Sequence, residues 1–330
     1  MTMYPSDSNE KAMYMLTWPD VRTFNTGFYA EDNISINENL LKLSARLAFH
    51  NNNVASEFGL NSLRIFYPDM AQSQNRFLKS VSAQYQTKVW ELDLNGGLAY
   101  GDRAPSVTEG YGFYLFNSFD NFDYIGDPYL KNEKSIEGNA RLSLEKKKLK
   151  LGIEGHYFHI NDYILGEIDS SLSAMTIGAD GVKVYDNLDY ATLYNAAFDA
   201  EYAFTTQLKL LGSMSYHRGM DQDGRNLPFI SPFAYGASLR YDLGIFTGSF
   251  AMKGAGRQVN FNPDFGEDET DAYTVFSLNL GRRFSLNDNN FDVALGVDNI
   301  FDTYYSTYSD WKNIPRMGRN FFMTVSYAIN

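Results

Sequence analysis

The sequence predicts an all-β fold, specifically a transmembrane antiparallel up-and-down β-barrel with about fourteen strands. Three observations lead to this prediction. Apolar residues recur at every second position through most of the chain, full charges occupy the positions between them, and short connections alternate with long ones. A period of two with one apolar face indicates extended strands. Charges on the other face exclude a packed interior there, so the apolar face is expected to meet lipid.

The alternation is clearest in residues 194–204. Tyr194, Phe198 and Tyr202 belong to an unbroken apolar series, while Asp199 and Glu201 fall between its members. The same pattern returns in 90–100, 291–298 and 321–329. The predicted strands are 11–19, 22–35, 39–50, 74–88, 90–101, 134–147, 149–162, 191–204, 206–217, 233–242, 244–257, 272–284, 289–300 and 319–329.

Two sets of connections follow from these strands. The short ones are 37–38, 146–148, 205–206, 243–244 and 287–290, and the long ones are 51–73, 102–133, 163–190, 218–232, 258–271 and 301–318. Outer-membrane barrels have short turns on one rim and long extracellular loops on the other. We expect one domain over residues 1–330.

Composition narrows the possible functions. The 330 residues include no Cys, four His and 40 acidic against 28 basic residues, for a net charge of -12. Such a charge disfavours nucleic acid, whose phosphates require a basic surface. No apolar run approaches the roughly 18 residues of a membrane helix. The sequence contains no nucleophile elbow, no Walker-type phosphate loop and no cofactor motif, so we predict neither an enzyme nor a bound cofactor.

Strand parity assigns the two faces. Charged residues of both signs are expected on the inner wall, among them Lys42, Arg141, Glu154, Asp199, Glu201, Lys209 and Asp292. Apolar residues are expected on the lipid face, among them Leu43, Leu47, Ile153, Tyr157, Leu239, Tyr241, Leu278 and Leu280. The lumen is therefore predicted to be polar and crossed by ion pairs.

Several segments resemble TonB-dependent outer-membrane receptors in family order. They are GFYAED at 27–32, GDRAPS at 101–106, DPYLKNEKS at 127–135, VDNIFDTYY at 297–305 and IPRMGRN at 314–320. Asp127 and Asn132 stand where the family usually has Asn and Pro. The resemblance covers nearly the whole chain.

The resemblance implies a function. Such receptors carry a scarce nutrient across the outer membrane with energy from TonB, and their barrels have about twenty-two strands around a plug. We therefore expect this chain to be a partial barrel that lacks the N-terminal plug domain and the early strands. A ferric siderophore or similar iron complex is the expected cargo, and a passive porin-like pore is the alternative.

The resemblance also implies a location and partners. The chain is expected in the outer membrane, in contact with outer-membrane lipid and lipopolysaccharide. Its other expected partners are a small-molecule nutrient ligand, the barrel-insertion machinery, and TonB, which would act only through the absent plug domain.

The long loops supply the candidate ligand-binding residues. These are Arg103, Tyr111, Tyr114, Phe116, Phe119, Tyr124, Tyr305 and Trp311. The aromatic rings could form a cup for a planar or apolar ligand, or they could pack against neighbouring loops. No metal site is predicted: His156 and His159 point to opposite faces of a strand, and the acidic residues of 264–271 are read as a solvated charge run rather than a Ca²⁺ site.

Overall fold

The structure is a computed structural model, and it describes residues 2–3, 13–14, 16–286 and 289–328. Strands dominate these residues, accompanied by two short α-helices and two 3-10 turns. The strands are β1 Thr2–Met3, β2 Met13–Tyr14, β3 Val21–Ile36, β4 Asn39–Val54, β5 Ser73–Val89, β6 Leu92–Arg103, β7 Leu115–Asn117, β8 Phe122–Ile125, β9 Glu133–Lys146, β10 Leu149–Ile168, β11 Gly181–Ala203, β12 Leu208–Asp221, β13 Ala234–Asp242, β14 Phe246–Ala255, β15 Tyr273–Leu286, β16 Asn289–Asp298 and β17 Asn320–Ala328. The helices are α1 Glu57–Leu63 and α2 Val107–Tyr111, and the 3-10 turns are Pro263–Phe265 and Trp311–Asn313.

The wall is one antiparallel meander. Strand β3 pairs with β4, β4 with β5 and β5 with β6. Strand β6 then pairs with β9, and from β9 to β17 each strand pairs with the next one in sequence. The small strands β7 and β8 lie off this path, and β8 pairs in parallel with the first residues of β11. The predicted antiparallel up-and-down strand order of a barrel wall is confirmed.

The strand assignments differ from the prediction in three places, and the first is the pair of short strands β7 and β8 inside the predicted loop 102–133. The segment 11–19 was expected to be a wall strand, but its described part pairs Met13 and Tyr14 with β1 and then continues as irregular chain over 16–19. The described wall therefore has thirteen strands. The predicted loop 163–190 is also too long, because β10 continues to Ile168 and β11 begins at Gly181. The turn at 287–288 lies outside the described residues.

The two faces follow the predicted parity. Large apolar side chains are exposed on one face of the wall, as expected for a surface that lipid covers. Examples are Phe28, Leu47, Leu98, Ile153, Phe198, Leu239, Leu280 and Leu295. Among the residues described, no helix combines the length and apolar character that crossing a membrane requires.

The opposite face carries the predicted ion pairs. Arg141 bridges two neighbouring strands by contacting Glu154 at 2.7 Å and Asp199 at 2.8 Å. Lys209 and Glu201 form another pair at 3.0 Å. These side chains are partly open to water, so each pair stabilises the fold by less than about 1 kcal/mol.

Both edges of the wall are unpaired in the described residues. Strand β3 has only β4 beside it, and β17 has only β16. A sheet edge exposed in hydrocarbon leaves backbone N–H and C=O groups without partners, which is why membrane sheets close on themselves. The wall described here thus requires pairing partners along β3 and β17 before it can span a bilayer.

Candidate ligand site in the loop cluster

The apolar core of the described structure lies in the loops at the end of the wall opposite the short turns. The loops 55–72, 104–132 and 169–180 fold against one another there. Their shared buried cluster consists of Val54, Leu60, Leu63, Met70, Tyr111, Phe113, Tyr114, Ile125 and Val182. Five of the candidate ligand residues lie in the second of these loops: Tyr111, Tyr114, Phe116, Phe119 and Tyr124.

Capping interactions start the two helices of the cluster. The Ser56 hydroxyl accepts a hydrogen bond from the Gly59 amide at the start of α1. At the start of α2, Ser106 and Glu109 form a capping box, in which each side chain accepts a hydrogen bond from the other residue's backbone amide. The motif GDRAPS thus ends in a helix N-terminus, as a Ser three residues before Glu favours.

Arg103 is held between two carboxylates. Its Nε lies 2.5 Å from Glu133 Oε2, and its Nη1 lies 2.9 Å from Glu109 Oε2. The guanidinium thereby connects the end of β6 to the start of β9 and to helix α2. Both contacts are charge-assisted hydrogen bonds within the protein. These contacts hold Arg103 in the rim of the wall, and its role in ligand binding stays a prediction.

Three candidate tyrosines are buried. Tyr111, Tyr114 and Tyr124 expose 2%, 4% and 7% of their surface, and the first two belong to the apolar cluster. Burial raises the pKa of Tyr124, and the neighbouring carboxylate of Asp120, which accepts its hydroxyl at 2.5 Å, raises it further. These three rings pack between neighbouring loops and do not form an open cup for a ligand.

A buried ion pair fastens the loops above the wall. The Lys183 ammonium and the Asp120 carboxylate lie 2.6 Å apart, and neither side chain is exposed to solvent. Lys183 also donates to the carbonyl oxygen of Asp264 and lies 3.8 Å from the centroid of the Phe265 ring. Burial lowers the pKa of Lys183, while Asp120 counteracts that change. One lysine thus connects three segments that are far apart in sequence.

Asp123 anchors the neighbouring loop without a cation. Its carboxylate accepts hydrogen bonds from the Met175 amide at 2.7 Å, the Thr176 amide at 2.8 Å and the Thr176 hydroxyl at 2.6 Å. The residue is fully buried. Three donors satisfy the charge where water cannot reach it, so the position of loop 169–180 depends on this side chain.

Gly266 allows two loops to approach closely. Its φ is +74°, and a Cβ built at this position would lie 2.2 Å from the Phe119 carbonyl oxygen. Only glycine combines that conformation with that contact at no steric cost. The segment 263–266 can therefore lie directly against residues 117–121.

A cavity of about 430 Å³ opens where these loops meet. Phe119 and Trp311 line it, together with Asp180, Asp264 and Lys312. Phe119 packs edge-on against Phe229 at a centroid distance of 5.1 Å, while Trp311 is 43% exposed. The Lys312 ammonium lies 4.9 Å from the Trp311 ring, an arrangement that indicates a cation–π contact. The cavity combines aromatic surface with charged groups at its mouth.

The other two candidates lie apart from this cavity lining. Phe116 is 44% exposed on β7. Tyr305 packs against Tyr273 at a centroid distance of 4.5 Å. The structure therefore brings together Phe119 and Trp311 out of the eight predicted residues. It adds Asp180, Asp264 and Lys312, which sequence reasoning did not select because isolated charges in long loops resemble any solvated surface.

The loop that carries Trp311 is held by its own ion pair. Arg316 Nη2 lies 2.6 Å from Asp310 Oδ1, and the Thr307 amide donates to Asp310 Oδ2 at 2.7 Å. Burial would raise the pKa of Asp310, but the hydrogen bonds from Arg316 and Thr307 outweigh it and hold that pKa below its usual value.

Metal-binding groups are not clustered in the part of the chain that the structure describes. No three His, Cys, Asp or Glu side chains there are arranged to hold an ion. Within the acidic segment 264–271, Glu267 accepts hydrogen bonds from the backbone amides of Phe229 and Asn262, and Glu269 pairs with Arg257.

Comparison with protein families identifies the fold. Residues 3–300 match the family described as TonB dependent receptor-like, beta-barrel. The chain belongs to this family. Family members are outer-membrane proteins, so the exposed apolar face of this TonB-dependent receptor barrel meets lipid and its long loops are extracellular. No curated protein sequence matches it.

Solved structures of TonB-dependent receptors share the barrel's fold. The copper transporter OprC has a TM-score of 0.76 and 21% sequence identity, with 93% of this chain and 48% of that chain covered. The siderophore receptor PirA from Acinetobacter baumannii has a TM-score of 0.61 and 13% identity, covering 92% and 54%. The ferric-catecholate import receptor Fiu from K12 E. coli has a TM-score of 0.61 and 16% identity, covering 92% and 44%. The chain thus spans about half the length of these proteins, which are transporters and receptors rather than enzymes.

Proposed function

We propose that this chain forms the C-terminal part of a receptor barrel that imports a scarce nutrient across the outer membrane with energy delivered by TonB. The cargo we propose is a ferric siderophore or a similar iron complex. The observation that carries the proposal is the loop cluster itself. A passive pore needs an open mouth, whereas here three loops share a buried core, and segments 118–122, 263–266 and 311–312 line an aromatic cavity of about 430 Å³.

The remainder of the receptor is proposed to pair along the free edges of β3 and β17. Receptors of this family have about twenty-two strands, and the described wall has thirteen. Further strands beside these edges would close the sheet and satisfy its backbone groups. A plug domain inside the closed barrel would then couple ligand release to TonB.

The cavity lining suggests how cargo would be held. Phe119 and Trp311 offer flat apolar surfaces to a chelating group, and the polar side chains near the mouth would orient it. In the described structure no ion pair engages Asp180 or Asp264, whereas Asp120 is neutralised by Lys183. The carboxylates of Asp180 and Asp264 outnumber the ammonium of Lys312 in the same lining, so the cavity favours an iron complex that is neutral or positively charged over one with several negative charges.

Uptake measurements test the proposal. Cells that carry the complete receptor containing this chain should accumulate a radiolabelled neutral or cationic ferric complex only when TonB is present. The double variant Phe119→Ala/Trp311→Ala should reduce that uptake at least tenfold, because two aromatic contacts are lost. Phe198→Ala, which removes a lipid-facing ring of the wall, is the matched control and should leave uptake unchanged.

Two results would contradict the proposal. Uptake that continues unchanged after deletion of TonB would indicate a passive pore. Uptake that is unaffected by the double variant would remove the cavity from the ligand path. Because OprC is a copper transporter, cellular copper should be measured beside iron, and accumulation of copper alone would replace the iron complex as cargo.

A further inference from the structure

Strand β3 carries a carboxylate on the face of the wall that meets lipid. Phe24, Ile34 and Ile36 lie on that face and are 58%, 37% and 45% exposed. Alternate residues of a strand share a face, so Asp32 belongs to the same series. The register agrees, because Asp32 is paired with Leu43, which is 39% exposed. Between Phe24 and Ile36, Asp32 is the only charged residue on this face.

The depth of Asp32 places it within the apolar part of the membrane. It stands four positions before Ile36, where β3 ends at the short-turn rim. Four residues of a tilted strand rise about 10 Å, whereas the apolar band of an outer-membrane barrel is about 25 Å tall. Ile34 and Ile36 separate Asp32 from the rim on the same face. A charge at this depth is costly unless another group pairs with it.

Neighbouring strands of the described wall do not neutralise Asp32. The adjacent side chains of β4 on the same face include Leu41 and Leu43, which cannot bind a carboxylate. The basic residues Lys42 and Arg46 alternate with these leucines and therefore lie on the inner face. Among the described residues Asp32 has no ion pair and no side-chain hydrogen bond. Its other side is the free edge of the wall, so a protein partner can approach only from there.

The free edge of β17 cannot supply this partner. Strands β3 and β17 both run from the long-loop end of the wall to the short-turn end, so they would pair in parallel, whereas neighbouring wall strands are antiparallel. Residues 320–328 of β17 also include no charged side chain. The same holds for β17 of a second copy in the same orientation. A second copy's β3 would run antiparallel only if that copy were inverted across the membrane, and it would bring another carboxylate.

We propose that the strand covering the β3 edge carries a lysine or arginine on its outer face opposite Asp32, and that the two side chains form an ion pair inside the membrane. This inference rests on the proposed function, because the covering strand belongs to the remainder of the receptor. The strand runs from the short-turn end to the long-loop end, antiparallel to β3. Opposite residues of an antiparallel pair have Cβ atoms about 5 Å apart, which a basic side chain spans.

The ion pair fixes how the remainder aligns along β3. Because side chains alternate between faces, a one-residue shift moves the cation to the inner wall. A two-residue shift keeps it outside but increases the distance between the two Cβ atoms to about 7–8 Å. One register therefore pairs both charges best in hydrocarbon, where their attraction is stronger than in water. Asp32 is a positioning residue for barrel assembly and not a ligand contact.

Charge exchange in the complete receptor tests the pair. Asp32→Lys should lower the folding equilibrium constant in lipid vesicles by about 100-fold, because two cations then face each other in hydrocarbon. Replacing the opposite basic residue by glutamate in the Asp32→Lys background should restore most of the stability. The matched control Glu31→Lys makes the same charge change at the adjacent inner-face position, where water is available, and should change the constant by less than about fivefold.

Disulfide formation locates the partner even if Asp32→Lys does not fold. Asp32→Cys is combined with cysteine at each outward-facing basic position of the covering strand in turn, and this chain contributes no other Cys. A disulfide should form at one position, which mass spectrometry identifies. A covering strand without an outward-facing lysine or arginine would overturn the proposal, as would disulfide formation at none of these positions.

Two further outcomes separate this proposal from the proposed function. Stability that charge exchange does not restore, in a receptor that still imports iron with TonB, would overturn the ion pair and leave the transport function intact. A receptor that shows both the rescue and the disulfide but imports nothing would support the ion pair and contradict the transport function alone.

Discussion

Removing the charge of Lys183 should loosen the loop cluster while leaving the barrel wall intact. Lys183→Met keeps most of the side-chain volume but leaves Asp120 as an unpaired buried carboxylate. Both side chains are fully buried, so solvent does not weaken the effect. Breaking a buried ion pair by removing one partner costs about 3–5 kcal/mol.

This cost translates into a measurable change in hydrogen exchange. If local opening of the loops becomes easier by about 3 kcal/mol, amide exchange should accelerate about 100-fold. The increase should appear in residues 119–126 and 263–266, which contact Lys183, and be absent from the wall strands. Mass spectrometry of the receptor in lipid nanodiscs measures both regions in the same sample.

The control is an exposed pair of the same chemistry. Lys209→Met removes the partner of Glu201 on the inner wall, where the two side chains are 47% and 28% exposed and the pair is worth less than about 1 kcal/mol. The double variant Lys183→Met/Asp120→Asn should restore most of the protection, because no unpaired charge remains. Equal exchange in Lys183→Met and Lys209→Met would refute the reasoning that this pair holds the loops together.

Three further predictions concern other parts of the molecule. The pKa of Asp310 is held below its ordinary value of 3.8, so its stabilising contribution is complete above that pH and is lost as pH falls through the lowered pKa. Trp311 fluorescence, in a background that lacks the other tryptophans, should report an acid transition that Asp310→Asn abolishes. Asp123→Ala leaves three hydrogen-bond donors unsatisfied and should speed amide exchange in residues 170–180 at least tenfold, whereas unchanged exchange would show that this carboxylate does not anchor the loop. Leu295→Arg on the lipid face should lower the free energy of unfolding in lipid vesicles by about 2–4 kcal/mol, while Ala294→Arg on the inner face should change it by less than 1 kcal/mol; equal losses would disprove the assignment of faces.

The strands of the wall could be predicted from the sequence because the alternation of apolar and polar residues is visible within each strand. A strand between lipid and a polar lumen must alternate, and that requirement is readable in each segment alone. The same requirement explains why the predicted strand ended at residue 162. With 20 residues, β10 is about twice as long as the roughly ten residues that cross a membrane, so its last residues are not required to alternate although the strand continues to Ile168.

The loop cluster could not be predicted in the same way. Lys183 and Asp120 are 63 residues apart, and nothing near either residue indicates that both are buried. Aromatic rings in a loop have the same sequence pattern whether they face a ligand or a neighbouring loop. Tyr111 and Trp311 therefore appeared equivalent in the sequence. Packing makes Tyr111 part of the core and leaves Trp311 exposed.

The unusual length of the β10–β11 hairpin has a consequence for the cell surface. Its strands have 20 and 23 residues, whereas about ten residues cross the membrane. At the usual strand tilt the surplus raises the tip about 25 Å above the bilayer. An antibody or a bacteriophage approaching the cell would meet this projection early, so substitutions at exposed tip residues such as Ile177 alter the surface that it recognises, while the membrane-spanning half of the hairpin stays unchanged.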